Sequence, residues 1–104
     1  MGQPRPELAQ CTVVGADKLP AGVGGEQAIC SAIRAASREK APGADYRVEV
    51  EVVSASALAA RVTLRDGRAL PEQKVAVSDR QLNPRSIERF AAAIADALAG
   101  SAAQ

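Results

Sequence analysis

Two stretches in the middle of the chain alternate apolar and polar residues, and this alternation limits the available folds more than any other feature. Apolar side chains occupy the even positions of 46–52 and 58–64, which is the period of a β-strand with one buried face. Opposed residues in an antiparallel pair share a face, so their residue numbers must add to an even sum. A sum of 110 or 112 places Arg61 opposite Glu49 or Glu51. We expect these three side chains to form a solvated ladder of ion pairs.

The dipeptide Asp66-Gly67 follows the second of these strands and predicts a tight hairpin. Asp-Gly suits a two-residue type I′ turn, which sets Leu64 opposite Ala69 with a pairing sum of 133. Pro71 has no backbone N–H to donate to a neighbouring strand. We therefore expect the third strand at an edge of the sheet, broken or bulged near Pro71.

Stretches with a helical period of 3.6 residues lie on both sides of the strands. The first spans 26–40. Its buried stripe is predicted to consist of Ile29, Ile33, Ala36 and Ser37, with Cys30 at the margin. In the second, Asn83 is placed to cap the helix, Pro84 suits the first helical position and Gly100 suits the C-terminal cap. Its stripe is predicted to consist of Ile87, Phe90, Ala91, Ile94 and Leu98.

The order of these elements predicts an α+β fold. Both helices must bury their stripes against the one apolar face of the sheet, which gives a two-layer sandwich of a helix, a three-stranded antiparallel sheet and a helix. Residues 11–14 are short and apolar, and could add an N-terminal edge strand. We assign 11–100 to a single domain, 1–10 to an extended arm and 101–104 to a tail.

Composition argues against several classes of function. The chain has no His, which removes Ser-His-Asp and Cys-His nucleophilic systems and the commonest zinc ligand. Aromatic residues make up only 2 % of the 104 residues, too few for a base-stacking platform. Thirteen basic and 12 acidic residues leave a net charge of +1, which does not favour nucleic acid. We therefore expect no enzymatic activity, no cofactor and no metal.

The two cysteines, Cys11 and Cys30, are either bridged or buried as free thiols. A bridge is the favoured interpretation because it would strengthen a thin core, and it implies an oxidising compartment. Met1-Gly2 ahead of a Pro-containing stretch, 3–6, is interpreted as start residues joined to mature extracytoplasmic sequence. Localisation is accordingly predicted to be periplasmic or secreted, with a signal peptide removed. The chain has no apolar run long enough to span a bilayer.

These observations favour a non-enzymatic, extracytoplasmic bacterial domain that binds another protein or itself, including as a homodimer. Either the edge strand that contains Pro71 or the polar face of the sheet could serve as the docking surface. The predicted partner-binding residues are Arg47, Glu49, Glu51, Arg61 and Arg65. The alternative interpretation of the same residues is a polar face that contacts only solvent.

Two further functions are compatible with the sequence. The Gly-rich loop 20–25, tethered by the disulfide, could insert into a target enzyme as in small inhibitor or immunity-type proteins. Near the end of the chain, 83–86 read Asn-Pro-Arg-Ser and 89–93 read Arg-Phe-Ala-Ala-Ala. In these residues and in the order of helix, three strands and Ala-rich helix, the chain resembles the double-stranded RNA-binding domain. That resemblance implies RNA contacts at the start of the final helix.

Overall fold

The computed structural model describes residues 9–78 and 80–102, which form two helices and a four-stranded mixed sheet. The strands are β1 (Ala9–Val14), β2 (Tyr46–Ser54), β3 (Ala57–Leu64) and β4 (Gln73–Ala76). The helices are α1 (Gly25–Lys40) and α2 (Pro84–Ala102), and two short 3-10 turns lie at Ala16–Lys18 and Ala21–Val23. The strands lie in the sheet in chain order. The fold is α+β, as the sequence predicts.

The sheet has one more strand than the three antiparallel strands that the alternation predicts. β1 is the optional N-terminal edge strand, and it pairs with β2 in parallel over its whole length, with Cys11 beside Val48 and Val13 beside Val50. A parallel pair requires a crossover connection, and α1 supplies it. β1 begins at Ala9, so it includes two residues assigned to the extended arm. The rest of that arm, 1–8, and residues 103–104 of the tail lie outside the described residues.

The pairing of β2 with β3 has the predicted sum of 110. Glu49 lies opposite Arg61, and Val48 lies opposite Val62. The register shifts only at the end of the hairpin, near Val52. The polar and apolar faces of the two strands therefore coincide, as the alternation requires.

The turn between β3 and β4 differs from the predicted type I′ turn. Leu64 N donates to Arg68 O at 2.8 Å, and Gly67 N donates to Leu64 O at 2.8 Å. The loop thus has three residues and ends at Gly67, whose φ of 90° is costly for other residues. A three-residue loop of this kind adds a residue to one strand, so Thr63, not Leu64, pairs with Ala69.

The predicted sum of 133 is restored after Pro71. Leu70 N donates to Val62 O, which corresponds to a sum of 132, whereas Leu58 lies opposite Val75 with a sum of 133. The pairing is broken at the proline, where no N–H is available, and β4 forms only beyond it. The expectation of an edge strand interrupted near Pro71 is confirmed.

Both helices cover the same face of the sheet. Ile29 and Ile33 of α1 are fully buried, and α2 buries its whole predicted stripe. The helices contact each other as well as the inner side chains of the sheet, among which Val48, Val50 and Val52 are inaccessible to solvent. The two-layer arrangement follows from this single apolar face. None of the described helices is long and apolar enough to cross a membrane.

The two ends of α2 agree only in part with the sequence prediction. Asn83 caps the helix, because its Oδ1 accepts from Ser86 N at 2.9 Å, and Pro84 occupies the first position. Gly100 does not end the helix, which continues to Ala102. A glycine in a helix costs about 1 kcal/mol relative to alanine, a penalty that helical neighbours can offset.

A buried hydrogen bond connects α1 to β2. The Ser37 hydroxyl donates to Arg34 O at 3.1 Å and lies 2.8 Å from the Tyr46 hydroxyl. Ser37 has one hydroxyl hydrogen, so Tyr46 is the donor of the second bond. Both side chains are buried, and the pair satisfies two polar groups within the core.

The predicted disulfide is present between Cys11 and Cys30, with a Cα–Cα distance of 5.8 Å. It joins β1 to α1 on the inner side of the sheet, where Cys11 packs against the core. β1 is therefore held by backbone pairing on one side and by a covalent bond to the helix layer.

Replacing both cysteines by serine should lower the free energy of unfolding by about 3 kcal/mol, because the bridge closes a loop of 19 residues in the unfolded chain. Urea denaturation of the oxidised protein and of the Cys11→Ser, Cys30→Ser variant measures the difference. Equal stability of the two proteins would contradict the assignment of a stabilising bridge.

Tyr46→Phe should lower the free energy of unfolding by about 1 kcal/mol, because it removes one buried hydrogen bond and leaves Ser37 bonded to Arg34 O. The same denaturation experiment measures this loss. A variant as stable as the parent would show that the bond between the hydroxyls makes no net contribution.

Candidate functional site: the outer sheet face and the β1 edge

One face of the sheet carries no helix, and we call it the outer face. β1 contributes Gln10, Thr12 and Val14, β2 contributes Arg47, Glu49 and Glu51, and β3 contributes Ala59, Arg61 and Thr63. These side chains alternate with the buried ones because successive residues of a strand point to opposite faces. The outer face is therefore a continuous surface across the first three strands.

The structure brings four of the five predicted partner-binding residues together on this surface. Arg47, Glu49, Glu51 and Arg61 all belong to the outer face and are exposed. Arg65 lies just beyond β3, where its Nε is 3.6 Å from Asp45 Oδ2. Arg65 therefore belongs to the end of the sheet, not to the same group.

The expected ion-pair ladder between Arg61 and the two glutamates of β2 does not form. Arg61 faces Glu49 in the register, but its ion-pair partner is Glu72, with Nε and Oε2 separated by 4.0 Å. Lys74 Nζ also approaches Glu72, at 3.5 Å. Among the ion pairs of the described residues, none includes Glu49 or Glu51.

The remaining cation of this surface is also engaged. Arg47 Nε donates to Gln10 Oε1 at 3.2 Å, so this guanidinium faces β1 and its glutamine. Cations on both sides of Glu49 and Glu51 thus have other partners. The two carboxylates are exposed side by side, each beside a residue of β1: Thr12 next to Glu49 and Val14 next to Glu51.

A hollow of about 130 Å³ lies on the outer face between β1 and β4. It is lined by Val14, Glu49, Glu51, Ala59, Arg61 and Glu72. Ala59 is 7 % exposed although it faces away from the helices, because its methyl group forms the floor between longer side chains. The hollow is small for a drug-sized ligand and is suited to one side chain.

Two exposed valines lie at this end of the sheet, and neither was predicted as a partner-binding residue; Val14 also lines the hollow. Val14 is 53 % exposed and Val53 is 50 % exposed. Both lie where β1 and β2 end, since Val14 is beside Glu51, two residues before Val53. The sequence does contain a signal that Val53 is exposed: it is an apolar residue at an odd position of a strand whose even positions are buried.

The two edges of the sheet differ in their protection. β4 has four residues, includes Lys74 and follows Pro71 and Glu72, which are features that discourage pairing with another chain. β1 has six residues, none charged and none proline, and its register with β2 is uninterrupted. In the part of the chain that the structure describes, no strand pairs with the far side of β1. β1 is the unprotected edge.

The other predicted sites lie elsewhere. In the Gly-rich loop 20–25, Val23 is buried in the core, while Gly24 and Gly25 have positive φ and are exposed. At the RNA-like segment, the Asn83 side chain is occupied by capping, and Arg85 is exposed on α2. The 3-10 turn Ala21–Val23 of the Gly-rich loop packs against α1 and α2, which cover the opposite side of the sheet from the outer face.

None of the described residues forms a group of three or more His, Cys, Asp or Glu side chains that could hold a metal ion. The sequence matches no family model, no curated protein and no solved structure. The surface itself offers an open strand edge beside two carboxylates and a shallow hollow.

Glu49→Gln combined with Glu51→Gln should leave the free energy of unfolding unchanged or raise it by about 0.3 kcal/mol, because no ion pair is lost and two neighbouring like charges are removed. Glu72→Gln, which loses two exposed ion pairs, should lower it by about 0.5 kcal/mol. Urea denaturation at low salt measures both. A clear loss of stability in the double variant would reveal a stabilising role for these carboxylates.

Proposed function

We propose that this chain is a non-enzymatic, extracytoplasmic bacterial protein-interaction module, and that it binds an extended segment of its partner as a fifth strand beside β1. The observation that carries the proposal is the contrast between the two edges. β4 is short, charged and preceded by proline, whereas β1 is longer, uncharged and regular. Proteins that do not use a sheet edge usually protect it, so an unprotected edge favours a binding role.

Backbone chemistry explains how such an edge recognises a partner. An edge strand presents N–H and C=O groups that can form a ladder with any extended chain, and side chains of the neighbouring surface then select among sequences. The outer-face side chains nearest to this edge are Thr12 and Val14 of β1, and Val14 also lines the hollow. The proposed docking surface thus uses the β1 edge in place of the predicted Pro71 edge strand, and keeps the predicted polar face beside it.

The disulfide supports both the binding role and the localisation. A strand held to α1 by Cys11–Cys30 and to β2 by its whole length is ordered before a partner arrives, which lowers the entropy that binding must overcome. A disulfide is also typical of an oxidising compartment. We therefore include the periplasm or the extracellular space in the proposal, while the absence of His supports its non-enzymatic part.

A neutral strand-forming peptide tests strand addition without charge. The peptide Thr-Val-Thr-Val-Thr-Val-Thr, blocked at both ends, should shift the backbone amide NMR signals of β1 at millimolar concentration and slow their exchange with solvent. The matched control is the same peptide with every backbone nitrogen methylated, which keeps the side chains but has no N–H on either edge to donate to β1.

The expected outcome is that the control peptide leaves the β1 amides unchanged. Equal effects of both peptides would show that side chains alone bind, and an effect confined to β4 or the helices would place binding elsewhere. Either result, or no binding of the unmodified peptide at all, would overturn the proposal.

A further inference from the structure

The geometry points to a basic partner: we infer that the segment added beside β1 carries Lys or Arg at alternate positions, whose cations reach across β1 to the carboxylates of Glu49 and Glu51. This inference depends on the proposed strand addition and specifies the chemistry that it selects. It concerns an interaction surface made of the β1 edge, Thr12, Val14 and the two glutamates.

The spacing of the strands makes these contacts possible. Neighbouring strands lie about 4.8 Å apart, so a strand beside β1 would lie about 10 Å from β2. Its outer-face side chains would stand beside Thr12 and Val14, the residues that adjoin Glu49 and Glu51. Both intervening side chains are short. Long Lys or Arg side chains can lie over them while the glutamate side chains extend from the other side.

The spacing of the two carboxylates along β2 sets the spacing of the cations along the partner strand. Glu49 and Glu51 are separated by one residue of the opposite face, so both carboxylates point to the outer face at the period of a strand. A partner strand matches them with cations two residues apart. Its intervening side chains face the helix layer beside Cys11 and Val13, where polar residues of α1, among them Gln27 and Ser31, also line the surface.

The charges already on the outer face leave these two positions open to a partner. Arg47 is bonded to Gln10, and Arg61 and Lys74 are paired with Glu72 on the side of β4. In the described part of the chain, Glu49 and Glu51 have no ion pair of their own. A basic segment would supply the missing cations, and an acidic segment would be repelled.

A second copy of the chain fits this surface less well. Two β1 strands could pair without a clash of charges, but β1 contributes only Gln10, Thr12 and Val14 to the outer face and brings no cation to either glutamate. The charge complementarity therefore favours a segment of a different, basic protein.

The test compares two peptides on wild-type protein and on a Glu49→Gln, Glu51→Gln variant. The neutral peptide is Thr-Val-Thr-Val-Thr-Val-Thr, and the basic one, Thr-Val-Lys-Val-Lys-Val-Thr, has two lysines at the spacing of the glutamates. We expect the wild type to bind the basic peptide about fivefold more tightly at low salt, as two exposed ion pairs would give. The preference should disappear in the double variant and weaken as salt is added.

Glu39→Gln combined with Glu88→Gln is the matched control variant, since it removes two exposed carboxylates that lie on the helices, away from the outer face. It should keep the fivefold preference. A peptide with glutamates in place of the lysines should bind more weakly than the neutral one. Thermal unfolding of each variant checks that the fold is retained.

The outcomes separate this inference from the proposed function. If both peptides shift the β1 amides with equal affinity, or if the double variant keeps the preference, the basic specificity is wrong and strand addition stands. If neither peptide affects β1, the proposed function fails and the inference with it. A free protein that sediments as a dimer with β1 amides already protected would assign the edge to a second copy and would also overturn the inference.

Discussion

The parallel pairing of β1 with β2 is the interaction on which the rest of the structure depends. It turns a hairpin sheet into a mixed sheet, requires α1 as the crossover and brings Cys11 next to that helix. It also decides which strand forms the edge of the sheet. Without β1, the edge would be β2. Its outer face carries charged residues, Arg47, Glu49 and Glu51, and such residues discourage pairing with another chain. The character of the surface thus follows from one added strand.

Much of this fold could be predicted from the sequence because its signals are local. The alternation in 46–52 and 58–64 determines the register of β2 and β3, and Asn83 with Pro84 marks the start of α2. The predictions failed where a competing local geometry was equally compatible with the residues. Asp-Gly suits both a two-residue and a three-residue loop, and one glycine costs a helix only about 1 kcal/mol, so α2 continues through Gly100.

The candidate site was predictable in part, for a related reason. Alternation correctly places Arg47, Glu49, Glu51 and Arg61 on one face. It cannot say which charges pair, because Arg61 faces Glu49 at the sum of 110 and Glu72 at the sum of 133, and only the structure shows that it pairs with Glu72. Nor can a run of six residues reveal whether it lies inside a sheet or at its edge. The importance of β1 becomes visible only through the strand order, which is a long-range property.

The crossover has a further consequence for the order in which the domain assembles. β2 and β3 are adjacent in the chain, whereas Cys11 and its neighbour Val48 are separated by 37 positions (48 minus 11), so their contact forms against a larger loss of chain entropy. The bond to Cys30, only 19 positions away, shortens that search by attaching the N-terminal segment to α1. We therefore expect β1 to join the sheet after the β2–β3 hairpin has formed, so that the open edge is completed late in folding.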